Sequence, residues 1–198
     1  MVSVVLVSYV QQSDAARTVL NISVGAFLIG EISQALRVRP GATRTDLGAE
    51  ALFRAMLFGG ILFIPLGHAV EPDATMRGGV WVFCLGVLIG WTGRLLRWWS
   101  FVTLGKYFTV VLKTSEDQPV VDRGPYRVLR HPSYTGLLLA FAGCVLMDGN
   151  WLSSCSVVIV LAALMYRIRI EERSLDAALG ERYRDFASSR ARLVPFLW

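Results

Sequence analysis

Charge is scarce in this chain, and histidine scarcer still. Only 18% of its 198 residues are charged and only two are histidine, whereas a soluble domain carries about a quarter charged residues. With His68 and His131 alone, a metal centre would have to rest on carboxylates, and none is expected. Cys84, Cys144 and Cys155 all fall inside apolar runs, with no CxxC spacing. An odd, scattered set of this kind fits neither a disulfide framework nor a zinc site, so the three read as small hydrophobes. There is no internal repeat, no low-complexity tract and no recognisable nucleic-acid module. Met1 to Val10 is apolar but has neither a basic leading region nor a small-residue cleavage site, and does not read as a removable signal peptide.

What the chain does have is grouped apolar sequence. The hydrophobic fraction is 54% and the mean hydropathy +0.50. No Asp, Glu, Lys or Arg occurs in 55–70, 78–93, 131–147 or 149–166, and only Glu31 interrupts 18–36. Each run approaches the roughly 20 residues that cross a bilayer core as a helix. The expected fold is therefore an all-α integral membrane protein of about five helical segments, the fourth and fifth forming a short hairpin. Within the spans, Pro65 suits a kink. Gly59-Gly60 and the Gly86/Gly90 pair suit close helix packing. An acid inside a span faces other helices or a cavity, which leaves Glu31 as a possible lining residue of a site.

The net charge of +5 is unevenly distributed. The first link carries Arg37, Arg39 and Arg44; the second carries only Arg77 beside Glu71 and Asp73. The third carries Arg97, Lys106, Lys113, Arg123, Arg127 and Arg130, and the Asp148-Gly149-Asn150 turn carries no cation. The tail carries Arg167, Arg169, Arg173, Arg182, Arg184, Arg190 and Arg192. Basic and non-basic loops alternate as the positive-inside rule requires of five crossings, with the N-terminus outside and the C-terminus in the cytoplasm. The cations flank apolar spans and serve topology and contact with anionic membrane lipid; nucleic acid is not an expected partner.

Two polar clusters stand against this apolar background. Gly124-Pro125-Tyr126 leads into Arg130-His131-Pro132-Ser133-Tyr134-Thr135-Gly136, directly before the apolar run 137–147. Pro132 suits the first position of a helix, where its missing N–H costs nothing. The free N–H groups at that helix start favour an anion, with His131 and Tyr134 beside them to hydrogen-bond a polar ligand. An interfacial anchor of His, Tyr and Arg explains the same residues equally well. The second cluster is Arg167-Ile168-Arg169-Ile170-Glu171-Glu172-Arg173. Arg167 and Glu171 share one face of a helix, four residues apart, with Arg169 and Arg173 on another. Such a pair can be a surface ion pair of little consequence. The short hairpin nevertheless returns both clusters to one surface, where a carboxylate suits an amine or ribose hydroxyls and an arginine suits an anion.

The ordered set Leu104-Gly105-x-Tyr107-Phe108, Gly124-Pro125-Tyr126, Arg130-His131-Pro132-x-Tyr134-x-Gly136, Glu171-Glu172-x-x-Leu175, Gly180-x-x-Tyr183 and Pro195 resembles the isoprenylcysteine carboxyl methyltransferase family. The resemblance covers the last hundred residues or so; the first ninety match only as hydrophobic spans. It implies an integral membrane enzyme that uses S-adenosylmethionine without a Rossmann domain. The chain is then one domain, with N-terminal spans over 1–96 and a cofactor-binding core over 97–198. By that resemblance Gln118, Pro119, Val120, Val121, Tyr126, His131, Pro132, Ser133 and Tyr134 contact the cofactor. Glu171 binds it from the fifth span, and Glu172, the second of the family's paired glutamates, contacts it as well. Arg167 corresponds to the arginine associated with the acceptor carboxylate. The chain departs from the eukaryotic prenylcysteine enzymes at Gln118, where they carry His, and at Val111, where they carry Gln.

The implied partner is a lipophilic acceptor, of which a prenylcysteine carboxylate is the foremost type. A phospholipid amine and a small thiol are alternatives. A membrane NADPH-dependent sterol-type reductase shares a similar C-terminal architecture, but carries Asn before the motif tyrosine and an acid after its glycine, where Ser133 and Leu137 stand here. A scaffold or small transporter accounts for the spans and not for two polar clusters meeting on one side. The sequence does not name the acceptor or the oligomeric state.

Overall fold

The computed structural model describes residues 8–35, 47–105 and 121–195. Helix α1 is the short turn Tyr9–Gln12, followed by α2 (Asp14–Ala35), α3 (Leu47–Val70) and α4 (Val80–Leu104). A 3-10 turn at Gly124–Arg127 leads to α5 (Pro132–Asp148). A second 3-10 turn, Leu152–Ser154, runs into α6 (Cys155–Leu179), and α7 (Glu181–Ser188) completes the set. Among the described residues there is no strand, only two isolated bridges. The chain is an all-α integral membrane protein.

Among the described residues, four helical stretches are long and apolar enough to cross a membrane, Asp14–Ser33, Ala51–Val70, Val80–Leu104 and Leu152–Leu179. The fifth expected segment, α5, has 17 residues and is roughly 25 Å long. It is also the most enclosed helix, with Leu137, Ala140, Phe141 and Met147 almost inaccessible. The expected short hairpin is therefore half right. Its first arm is short, but α6 continues without a break to Leu179, carrying Arg167, Glu171 and Glu172 on one rod. The third span likewise runs on past the expected end at 96 to Leu104.

That extension has a physical cause. Arg94 and Arg97 do not end α4, because both guanidinium groups find partners on neighbouring helices. Arg94 donates to the Ser23 carbonyl at 2.8 Å, and Arg97 grips Glu31.

The tightest packing is between α4 and α5, which run antiparallel along a glycine seam. A Cβ on Gly86 would stand 2.7 Å from the Met147 backbone nitrogen, and one on Gly136 would stand 2.5 Å from the Gly93 carbonyl. Only glycine permits backbones this close, so the Gly86/Gly90 pair serves helix packing. On α3, Gly60 lies against Val160 and Phe141, while Gly59 faces open space. The outward side of α4 carries Trp81, Leu85, Leu88, Leu95, Trp98 and Trp99, all exposed, as a lipid-facing surface requires.

α5 ends at Gly149, whose φ of 72° is left-handed and whose N–H bonds back to the Val145 carbonyl. Asn150 is fully buried there and donates to the Glu71 carbonyl at 2.8 Å. The Ser153 hydroxyl lies 2.8 Å from both Asp148 Oδ2 and the Ile64 carbonyl, sharing its one proton with these acceptors. These bonds fasten the α5–α6 turn to the end of α3 and settle how the opposite ends of the two helices meet.

Candidate active site

The opposite ends of α5 and α6 bring the two polar clusters together. Pro132 occupies the first helical position of α5, and His131 is its N-cap. The His131 ring is 5% exposed and stacks on Tyr134, with centroids 5.5 Å apart and planes 17° from parallel. The Tyr134 hydroxyl donates to Glu171 Oε2 at 2.8 Å. His131 Nδ1 lies 3.9 Å from the same oxygen. One carboxylate of α6 thus faces two motif residues of α5, four helical turns from where the hairpin closes.

Both of these Glu171 contacts use Oε2, so among the described residues Oε1 is left to accept from a ligand. Glu172 differs. It accepts from Arg130 Nη1 at 2.8 Å and from Arg192 Nε at 3.0 Å, and approaches His131 Nε2 at 3.4 Å. Arg167 is 6% exposed and lies with its guanidinium carbon 5.5 Å from the centre of the Phe53 ring, within electrostatic reach of Tyr134. Arg169 and Arg173 are exposed on another face of α6.

The 3-10 turn supplies Tyr126, which is buried. Burial pushes its phenol above the ordinary tyrosine range, and the negative charge of Glu171 adds to the effect. Arg97 and a hydrogen bond with Ser100 oppose it. Tyr126 therefore stands as a neutral phenol within electrostatic reach of Glu171 and Arg97. Ser133 is buried, and its carbonyl accepts from Arg97 Nη1 at 2.9 Å. Val121 is half-buried. Gln118, Pro119 and Val120 lie outside the described residues, as do Tyr107, Phe108 and Val111.

The sequence reading passed over two contributors. Arg97, noted there only for topology, is held by Glu31 in a two-pronged pair at 2.5 and 2.7 Å and lies 4.8 Å over the Phe101 ring. It ties α2 and α4 to the first turn of α5. Glu31 stood out as an acid within a span, but nothing in the sequence paired it with an arginine 66 residues away. Phe53, which carries the Arg167 guanidinium, gave no signal at all.

The site's chemistry fits a donor such as S-adenosylmethionine. A carboxylate oxygen open to a hydrogen-bond donor, a phenol and an imidazole converge at the start of a helix beside a buried cation. Amine and ribose hydroxyl groups match the first of these, and the helix start matches a carboxylate.

Residues 85–177 are matched by the model of one family, and they contain every described residue of the predicted site. That model describes the isoprenylcysteine carboxyl methyltransferase family, which this segment is similar to. Protein-S-isoprenylcysteine O-methyltransferase A of Arabidopsis thaliana is 34% identical over 120 residues, covering 59% of this chain and 61% of the relative. The Tribolium castaneum protein-S-isoprenylcysteine O-methyltransferase is 31% identical over 122 residues, covering 59% of this chain and 43% of the relative. The chain thus spans less than two thirds of the length of these methyltransferase relatives. A solved structure of the eukaryotic intramembrane Ras methyltransferase of the same family superposes with a TM-score of 0.62 at 23% identity. It covers 96% of this chain and 68% of its own. The likeness of fold to that structure therefore extends over almost the whole chain.

Proposed function

We propose that the chain is an S-adenosylmethionine-dependent membrane methyltransferase acting on a lipophilic carboxylate, foremost a prenylcysteine. The observation that carries this reading is the meeting of Tyr134, His131 and Glu171 beside the buried Arg167, within the family segment. The names of the relatives support the acceptor class. The alternation of basic loops supports a cytoplasmic position for this end of the molecule.

In this reading Glu171 Oε1 accepts hydrogen bonds from the donor, and Tyr134 and His131 hold Glu171 at the correct height. By the resemblance Tyr126 and the segment 118–121 contact the same donor, and 97–198 form the cofactor-binding half. S-adenosylmethionine, when bound, supplies an electrophilic methyl group on a sulfonium. A carboxylate acceptor is already ionised near neutral pH, so none of the residues has to remove a proton from it. Arg167 orients that carboxylate, and burial by Phe53 and the α5 core excludes water. A thiol or amine acceptor would need a base, and His131, held between two glutamates, is the only imidazole at this end.

The test is binding of S-adenosylhomocysteine to the purified full chain in detergent, followed by transfer of a labelled methyl group to a prenylcysteine, a lipid amine and a small thiol in parallel. Saturable binding and labelling of the prenylcysteine are expected. Absence of binding sinks the methyltransferase reading, while labelling of the amine or thiol alone overturns the carboxylate assignment.

A further inference from the structure

The chain after α7 pairs with the loop that carries the first polar cluster. Residues 128–131 and 190–193 run parallel. The Arg130 N–H donates to the Ala191 carbonyl at 2.8 Å, the His131 N–H to the Arg192 carbonyl at 3.1 Å, and the Ala191 N–H to the Val128 carbonyl at 3.2 Å. Side chains reinforce the pairing. Arg130 Nε donates to the Arg190 carbonyl and Arg190 Nε to the Tyr126 carbonyl, each at 3.0 Å. Thr135 donates to the Leu193 carbonyl at 2.7 Å, and Leu193 is 2% exposed. The strap lies wholly beyond the family segment 85–177.

Glu172 stands where the strap, the loop and α6 converge. Its Oε1 accepts from Arg130 and Arg192 and faces His131, and its Oε2 accepts from Arg192. Both oxygens thus accept from protein groups, whereas among the described residues the contacts of Glu171 fall on Oε2 alone. Its side chain is 13% exposed against 26% for Glu171. A carboxylate gripped by two guanidinium groups fixes the groups that bind it.

We propose that Glu172 is a positioning residue rather than a ligand contact. With Arg192 it clamps the C-terminal strap 190–193 onto the loop 128–131, and the strap in turn holds the His131 backbone and ring in place for the methyl donor. This inference rests on the methyltransferase reading and changes one part of it, the direct cofactor contact that the family resemblance gave to Glu172. The physical logic is that of an outer layer of contacts orienting an inner one. His131 is set by the Arg192 carbonyl through its N–H, by Tyr134 through its ring face and by Glu172 near Nε2. Removing the clamp leaves all inner residues present and loosens their geometry.

The test uses the full chain in detergent, with Arg192→Ala, Arg192→Lys, Glu172→Gln and the double variant Glu172→Gln/Arg192→Ala. Each is measured for S-adenosylhomocysteine affinity and for the KM of donor and acceptor. Arg192→Ala is expected to weaken the donor about tenfold, the factor equivalent to one lost charge-assisted hydrogen bond of roughly 1.4 kcal/mol. Acceptor KM and kcat at saturating donor should stay near the wild type, a split that a general loss of structure does not produce. Arg192→Lys should recover part of the affinity. The double variant should be no weaker than Glu172→Gln alone, because both changes open one clamp. Hydrogen exchange at the Arg130 and His131 amides should quicken in parallel. Wild-type affinity in Arg192→Ala, or losses that simply add in the double variant, overturns the inference and leaves the methyltransferase reading intact. Absence of binding by the wild type overturns both.

Discussion

The Tyr134 hydroxyl donates to Glu171 Oε2 across 2.8 Å, joining the first turn of α5 to the last third of α6. The two residues are 37 positions apart, and the bond between them makes one site of two clusters. Tyr134→Phe keeps the ring stacked on His131 and removes only this bond. It should weaken S-adenosylhomocysteine about tenfold by calorimetry, and Glu171→Ala should weaken it further. An unchanged affinity in Glu171→Ala would remove Glu171 from the donor site.

Arg167 is expected to act on the other reactant. Arg167→Ala should lower turnover with an anionic acceptor roughly 100-fold, the scale of a misplaced reactant, while S-adenosylhomocysteine affinity is largely kept. Arg167→Lys should restore little, since an ammonium lacks the planar fork that grips a carboxylate. Steady-state kinetics alongside calorimetry distinguishes this from a loss of donor binding.

Packing along the α4–α5 seam makes a separate prediction. In Gly86→Ala the added methyl meets backbone atoms, the Met147 nitrogen at 2.7 Å and the Gly143 oxygen at 2.8 Å. Neither can swing aside, so a stability loss of about 1–3 kcal/mol is expected, read as a lower melting temperature in detergent. Gly59→Ala, where nothing stands within 4 Å, is the control and should be neutral or slightly stabilising, as Ala favours helix over Gly.

Glu31 and Arg97 are 17% and 12% exposed in their side chains, so breaking the pair from one side strands a charge. Arg97→Ala should cost roughly 3 kcal/mol, and Glu31→Gln in the Arg97→Gln background should return part of it. If the single variants melt like the wild type, the pair does not hold α2 to α4.

The site end also makes a prediction about alkaline pH. Burial raises the phenols of Tyr126 and Tyr183 above the ordinary value of 10.0, with the charges of Glu171 and Glu172 respectively as second causes. In the unfolded chain these tyrosines lose their protons first, so the folded state binds more protons above that value. Stability is then fully present below about pH 10 and falls as pH rises beyond it. Tyrosinate absorbance should show both residues ionising only with unfolding, and Tyr126→Phe should flatten the alkaline loss.

The first cluster was legible because its residues are contiguous. Gly124-Pro125 dictates a turn, Pro132 starts a helix, and His131 and Tyr134 fall at its mouth by spacing alone. Arg167 and Glu171 were legible as one helical face for the same reason. Arg97 with Glu31, and Arg192 with Glu172, were not legible. Each pair joins residues on different elements, and no local rule fixes which of several arginines meets a given acid. The third segment runs past its expected end at 96 because Arg94 and Arg97 turn inward to partners rather than marking a boundary.

The sequence by itself determined that the chain is helical and membrane-embedded, because apolar runs of near-spanning length with basic flanks leave the backbone no other way to satisfy its hydrogen bonds in lipid. It also determined which residue types stand at the ends of α5 and α6. Only the tertiary structure decided that Glu171 meets Tyr134 while Glu172 meets Arg130 and Arg192. Adjacent side chains on a helix point about 100° apart. What each then meets depends on the packing of α5 and the return of the strap, neither of which is written in the spacing of two consecutive glutamates.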